Sequence, residues 1–139
     1  EDDASIEVHR YTEKLCQSLL KSYGGDANGI ELKLDVDECL LDIDRATLIG
    51  LIVNELVSNS LKYAFTGKEK GVLTVALKTV GKNFELLVSD NGTGKIKKTR
   101  DSSSFGLKLV DSMTKKLKGS LSTVTEDGYQ TKIVFPKTK

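Results

Sequence analysis

Tryptophan is absent from this chain, histidine occurs once and cysteine twice, and no long apolar run interrupts its mixed charge. Each scarcity closes off a class of function. Four tyrosines and four phenylalanines are a thin supply for a single-strand nucleic-acid surface built from stacked rings. The charge points the same way: 21 basic against 20 acidic side chains leave a formal +1, too little for a field that gathers nucleic acid or acidic lipid. Cys16 and Cys39 lie far from each other in sequence, and His9 is the sole histidine, so the ligands of a zinc site are not supplied. The two cysteines read as small apolar side chains of a reducing compartment, with a disulfide between them as the open alternative. No stretch offers the roughly 18–20 consecutive apolar residues that cross a bilayer, and the opening EDDASIEVHR has no signal-peptide pattern. The expectation is a cytoplasmic segment with no nucleic-acid partner and no membrane insertion of its own, cut from a longer protein whose anchor, if it has one, lies elsewhere. At 139 residues, 1–139 is a single domain able to bury a proper core.

What is present centres on residues 48–65, LIGLIVNELVSNSLKYAF. Leu48, Ile49, Leu51, Ile52, Val53, Leu56, Val57, Leu61 and Ala64 cover most of a helical wheel, so this helix is buried on most sides. Glu55, Asn59 and Lys62, at i, i+4 and i+7, nevertheless place an acid, an amide and an amine in one stripe. Buried without partners, a neutral polar group costs about 2–7 kcal/mol and a charge more. Facing water in surface ion pairs, the same stripe would mean little. Two further segments favour a site: Asp90-Asn91-Gly92-Thr93-Gly94, directly after a strand-like run, and Ser104-Phe105-Gly106-Leu107. A polar stripe on a buried helix and two glycine-punctuated turns are the parts of a nucleotide pocket.

Around these parts the periodicity predicts a helix over residues 6–23, closed by Gly24-Gly25, and a strand from Ile30 in which Leu32 and Leu34 alternate with charged residues. Residues 39–43 read as a short partner strand, and Asp44 as the N-cap of the central helix. Leu73, Val75 and Leu77, then residues 84–88 after Gly81-Lys82-Asn83, form a hairpin. Residues 95–104 carry almost no apolar content and read as a loop. A helix over residues 105–117 stops at Gly119, and a last hairpin turns at Glu126-Asp127-Gly128 and ends at Pro136. The expected architecture is an α/β (α+β) two-layer sandwich: a mixed, mostly antiparallel sheet with helices on one face and the other face partly open to a partner.

The run Asn54-Glu55-Leu56-Val57-Ser58-Asn59-Ser60-Leu61-Lys62-Tyr63-Ala64 resembles the N-box of the ATP-binding catalytic domain of sensor histidine kinases. Asp90-Asn91-Gly92-Thr93-Gly94 resembles its G1 box and Phe105-Gly106-Leu107 its G2 box. This is the Bergerat ATP-binding fold, shared with DNA gyrase, Hsp90-type chaperones and the MutL repair protein, and GLIVNELVSNSLKYAF with the closing IVFP looks most like the HisKA_2 and HWE branch. The likeness spans nearly the whole chain, with the boxes in order.

The resemblance implies ATP and Mg²⁺ as cofactors. Asn59 matches the asparagine that coordinates the metal, and an amide oxygen suits Mg²⁺, which takes hard ligands. Glu55 matches the acid that polarises a nucleophile; here it would orient an incoming imidazole or a metal-bound water. Lys62 would neutralise phosphate oxygens, and Tyr63 would pack on the adenine or ribose. Asp90 matches the adenine reader, accepting a hydrogen bond from the exocyclic amine that guanine cannot donate. Gly92 and Gly94 would admit close approach, while Gly106 and Leu107 would present helix N-terminal N–H groups to phosphate. The implied partners are the dimerisation domain carrying the phosphoacceptor histidine, upstream of Glu1, and a downstream response regulator. His9, without an acceptor pattern around it, is a surface or packing residue. Competing readings are a serine protein kinase of the anti-sigma-factor type and an ATP-holding module without chemistry. One departure stands out. Family members carry a Gly-Thr pair leading into the last strand, whose threonine helps hold adenine through water, whereas Tyr129 follows Gly128 here.

Overall fold

The computed structural model describes residues 5–65, 70–92 and 105–138. Its first element is not helical. Ser5–Glu7 forms a short strand, β1, and Glu7 then caps helix α1 (Val8–Ser22) by accepting hydrogen bonds from the backbone N–H groups of His9 and Arg10, both at 3.0 Å. The α1 face carrying Val8, Thr12 and Cys16 is buried, which gives the helix its place in the core.

Strand β2 (Ile30–Val36) alternates as expected, with Ile30 and Val36 buried and Glu31, Lys33 and Asp35 exposed. Its neighbour differs from the expectation. The short strand β3 (Leu40–Asp42) pairs antiparallel with β1, Ile6 opposite Leu41, and not with β2. Beyond Val36 the chain keeps running along another strand: the Asp37 N–H donates to the Leu77 carbonyl at 2.8 Å, and the Asp37 carboxylate accepts from the Thr79 N–H at 2.8 Å. Those bonds carry the backbone past the point where a hairpin would have to reverse.

The central helix α2 (Ile43–Asn59) begins two residues before the expected position, and its N-cap is Asp42, not Asp44. Asp42 Oδ2 accepts from the Arg45 N–H at 3.1 Å and Oδ1 from Arg45 Nε at 2.8 Å. Arg45 donates its other guanidinium hydrogens to the carbonyls of Pro136 and Lys137, each at 2.9 Å, tying the start of α2 to the end of the chain's last strand. Asp44 falls in the first turn, where a negative charge complements the helix dipole without capping it. After Asn59 the ladder widens into a π-turn, Ser60–Ala64.

Strands β4 (Gly71–Val80) and β5 (Asn83–Asp90) form the expected hairpin, helix α3 (Phe105–Lys116) follows, and β6 (Ser120–Val124) and β7 (Tyr129–Pro136) close the fold. The main sheet has five strands in the order β2-β4-β5-β7-β6. Every pairing is antiparallel except β2 with β4, which run parallel with α2 in the connection between them. On β4, β5 and β7 the positions Leu73, Val75, Leu77, Leu86, Val88, Ile133 and Phe135 are buried together with Ile49, Ile52, Val53 and Val57 of α2. The alternate positions, among them Thr74, Glu85, Ser89 and Lys132, are half-buried on the other face. The result is the expected two-layer sandwich with helices on one face of a mixed sheet.

Candidate functional site

Three pieces of backbone meet at one end of the sheet, and the contacts that join them are specific. Asp90 ends β5 facing the helices, opposite Leu73 on β4 and Tyr129 on β7. It is buried, at 6% exposure. Ser60 Oγ, at the start of the π-turn, donates to Asp90 Oδ2 at 2.7 Å, and the Gly92 N–H donates to Asp90 Oδ1 at 2.9 Å. A buried carboxylate is tolerable only with such donors on its oxygens, and the two bonds fix its orientation. Asn91 holds the turn itself: its Oδ1 accepts from the Val72 N–H at 2.8 Å, and its own N–H donates to the Val72 carbonyl at 3.2 Å.

Gly92 is needed for space. A β-carbon there would collide with the backbone and side chain of Ala64, the last residue of the π-turn, so the absence of a side chain lets the end of β5 lie against the end of the central helix. Gly106, in the first turn of α3, lies against the end of the Glu55 side chain, whose carboxylate a β-carbon would push aside. The acid therefore sits beside the helix N-terminus, where backbone N–H groups and the helix dipole favour negative charge. A β-carbon on Gly128, which has φ 123°, would collide with the Asp90 carbonyl; this glycine allows the β6–β7 turn to close over the end of β5.

Asn59 and Leu107 line a small cavity together with Leu56, Ser60, Val88, Tyr129 and Thr131. Glu55 and Gly106 touch next to it, and Ser60 connects it to Asp90. Of the residues singled out from the sequence, Glu55, Asn59, Asp90, Gly92, Gly106 and Leu107 thus come together. Tyr63 is half-buried on the π-turn. Lys62 is exposed, its Nζ 6.0 Å from the ring centroid of Tyr23 at the end of α1. The widened turn takes Lys62 out of strict α-helical register with Glu55 and Asn59. Gly94 and the loop over residues 95–104 lie outside the described residues.

Two contributors were not singled out in the sequence. Ser60 is turned toward Asp90 by the π-turn, which no local pattern announces. Thr131 was readable: Tyr129, Thr131, Ile133 and Phe135 share one face by period two, so a hydroxyl among them points inward. Among the described residues no group of three or more His, Cys, Asp or Glu is placed to hold a metal ion. Asn59 offers one amide oxygen, which fits Mg²⁺ bound with few protein ligands and mainly through phosphate and water.

The chain resembles known proteins along its length. It is 34% identical over 89 residues to the sensor histidine kinase PdtaS of Mycolicibacterium smegmatis, covering 59% of this chain and 17% of that protein. It is 42% identical over 45 residues to the serine-protein kinase RsbW of Listeria innocua, covering 32% of this chain and 29% of that protein. The chain therefore spans under a third of the curated relatives it matches. Its fold is that of the histidine kinase domain of the Erythrobacter litoralis blue-light activated histidine kinase, with a TM-score of 0.83 at 20% identity over 94% of this chain and 61% of that one. The profile of the histidine kinase-, DNA gyrase B- and HSP90-like ATPases matches residues 44–139, a span that holds the central helix, the Asp90 turn and α3. With its defining span matched and its helices and sheet assembled as in a histidine kinase domain, the chain belongs to the histidine kinase-, DNA gyrase B- and HSP90-like ATPase family.

Proposed function

We propose that this chain is the catalytic ATP-binding domain of a two-component sensor histidine kinase, which binds Mg-ATP and passes its γ-phosphoryl group to a histidine on a separate dimerisation domain. The observation that carries this reading is the Asp90 carboxylate, buried and aimed by Ser60 and Gly92 at the end of the sheet where Asn59 also lies. A fixed acceptor there suits the exocyclic amine of adenine and rejects the O6 of guanine. Asn59 would supply an amide oxygen to Mg²⁺, and Gly106 and Leu107 would present backbone N–H groups to phosphate. Lys62, on a flexible stem at the rim, would swing to neutralise phosphate oxygens, and Tyr63 would pack against the nucleoside.

In the transfer an imidazole nitrogen of the acceptor domain forms a bond to the γ-phosphorus as the bond to the β–γ bridging oxygen breaks and ADP leaves. Glu55, whose carboxylate lies beside the first turn of α3, would orient the incoming ring and take its proton. The rest is placement and charge neutralisation. A response regulator would receive the phosphoryl group next.

Calorimetry tests the reading: ATP should bind only with Mg²⁺ and in preference to GTP, and Asp90→Ala should abolish the heat of binding. No binding by the unsubstituted chain would overturn the proposal. The match to RsbW favours a second reading, a serine protein kinase on the same fold. The phosphorylated product separates the two, since phosphohistidine is lost in acid and phosphoserine survives it.

A further inference from the structure

The main sheet ends in two strands that have a neighbour on one side only, β2 and β6. These edges are built differently. β2 sets Glu31, Lys33 and Asp35 in a row on the open face of the sheet, and charges along an edge discourage pairing with another chain. β6 reads Ser-Leu-Ser-Thr-Val: all five residues are exposed, and none is charged, proline or glycine. Its Leu121 lies on the helix side, opposite Ile133 of β7, and its Val124 on the open side, opposite Gln130, at 36% and 46% exposure. Among the described residues no strand pairs with its outer edge, which therefore presents backbone N–H and carbonyl groups able to accept one strand more.

The charges that flank β6 select the strand it accepts. Lys115, Lys116 and Lys118 lead into it, and Glu126 and Asp127 lead out. Lys118 and Glu126 are both exposed, and neither is in an ion pair among the described residues. Two copies of β6 laid antiparallel about a two-fold axis at Ser122 match all five residues: Ser122 meets Ser122, Leu121 meets Thr123, and Ser120 meets Val124. Lys118 and Glu126 stand at equal distances in sequence on either side of that axis, so the basic flank of each copy runs beside the acidic flank of the other at both ends. A parallel arrangement would set like charge against like. We propose that β6 is a self-recognition edge, through which two copies of this chain join their five-stranded sheets into one continuous sheet. The pairing is isologous and closes at two copies. It covers Leu121 on the helix side and Val124 on the open side with the other copy's Thr123 and Ser120. So short an edge makes a small interface, so the association is weak and depends on concentration. The inference is independent of the ATP-binding reading.

Sedimentation equilibrium of the 139-residue chain at low salt tests this. Between about 10 μM and about 1 mM the unsubstituted chain should pass from monomer to dimer, and added salt should weaken the dimer. Ser122→Lys, which sets two like charges at the axis, should raise the dissociation constant about tenfold or more. Lys118→Glu and Glu126→Lys, each of which turns both end contacts repulsive, should raise it by about three- to tenfold. An equimolar mixture of these last two variants should associate as the unsubstituted chain does, because each supplies the sign that the other lacks. Thermal melting of each variant shows that it is folded. A chain still monomeric at about 1 mM overturns the proposal. So does a dimer indifferent to the three substitutions, which joins through another surface, or a mixture that associates no better than its two components.

Discussion

Asp90 is a buried acid whose carboxylate is oriented by the Ser60 hydroxyl and the Gly92 N–H. Ser60→Ala removes the hydroxyl that donates to Oδ2 of a carboxylate only 6% exposed. The expected cost is about 1–3 kcal/mol of stability, together with weakened ATP binding, read by urea unfolding and calorimetry on the same variant. Ser60→Thr keeps the hydroxyl and should retain most of both. His9 behaves differently. Its Nδ1 lies 2.8 Å from the Val36 carbonyl, and that acceptor raises the ring's pKa above the ordinary value, with Glu13, Glu7 and Glu38 adding to the effect. The folded chain therefore binds the histidine proton more tightly than the unfolded chain. This contribution to stability is fully present below about pH 6.5, the unfolded value, and is lost as pH rises through the higher folded value. Urea midpoints at pH 5.5 and 8 should differ less in His9→Gln than in the unsubstituted chain. His9 thus acts in packing and charge, in keeping with its lack of a phosphoacceptor pattern.

At the scale of elements, the alternation of apolar and polar residues made β2, the β4–β5 hairpin and the β6–β7 hairpin legible, and helical spacing made α1, α2 and α3 legible. Choices that depend on distant backbone were not. Asp42 and Asp44 are equally good capping residues on paper; what selects Asp42 is Arg45, whose side chain bridges it to the carbonyls of Pro136 and Lys137, 91 and 92 residues away. Asp42→Ala should therefore cost about 1–2 kcal/mol from the cap alone, plus the loss of the bridge, while Asp44→Ala should stay within a few tenths of a kcal/mol. Urea unfolding of the two variants, side by side, checks this. The π-turn is the other choice that the sequence concealed, because its residues, Ser60–Ala64, continue an α-helical pattern without a break. The contacts the turn makes, Ser60 with Asp90 and Ala64 with Gly92, are with residues far along the chain.

For the whole molecule, the candidate site was more legible than the topology that builds it. Glu55, Asn59, Asp90, Gly92, Gly106 and Leu107 were singled out by residue type, spacing and the resemblance of three short runs to the family's boxes, and they converge, whereas Lys62 is exposed beside Tyr23 and Gly94 lies outside the described residues. The partner of β2 was not, since an alternating pattern states which face a strand buries and is silent on which strand lies beside it. That partner matters for how the chain comes together. Ile30 lies opposite Gly71, and Val36 opposite Leu77, so the first strand of the main sheet waits for backbone made some forty residues later. A chain leaving the ribosome holds α1 and β2 with no edge to join until β4 has emerged, whereas β4 and β5 close on each other across two residues, Gly81 and Lys82. Pulsed hydrogen exchange during refolding should show the amides of β5 protected early and those of β2 late. A newborn chain is then most exposed to wrong pairing along the bare flank of β4, the seat reserved for β2.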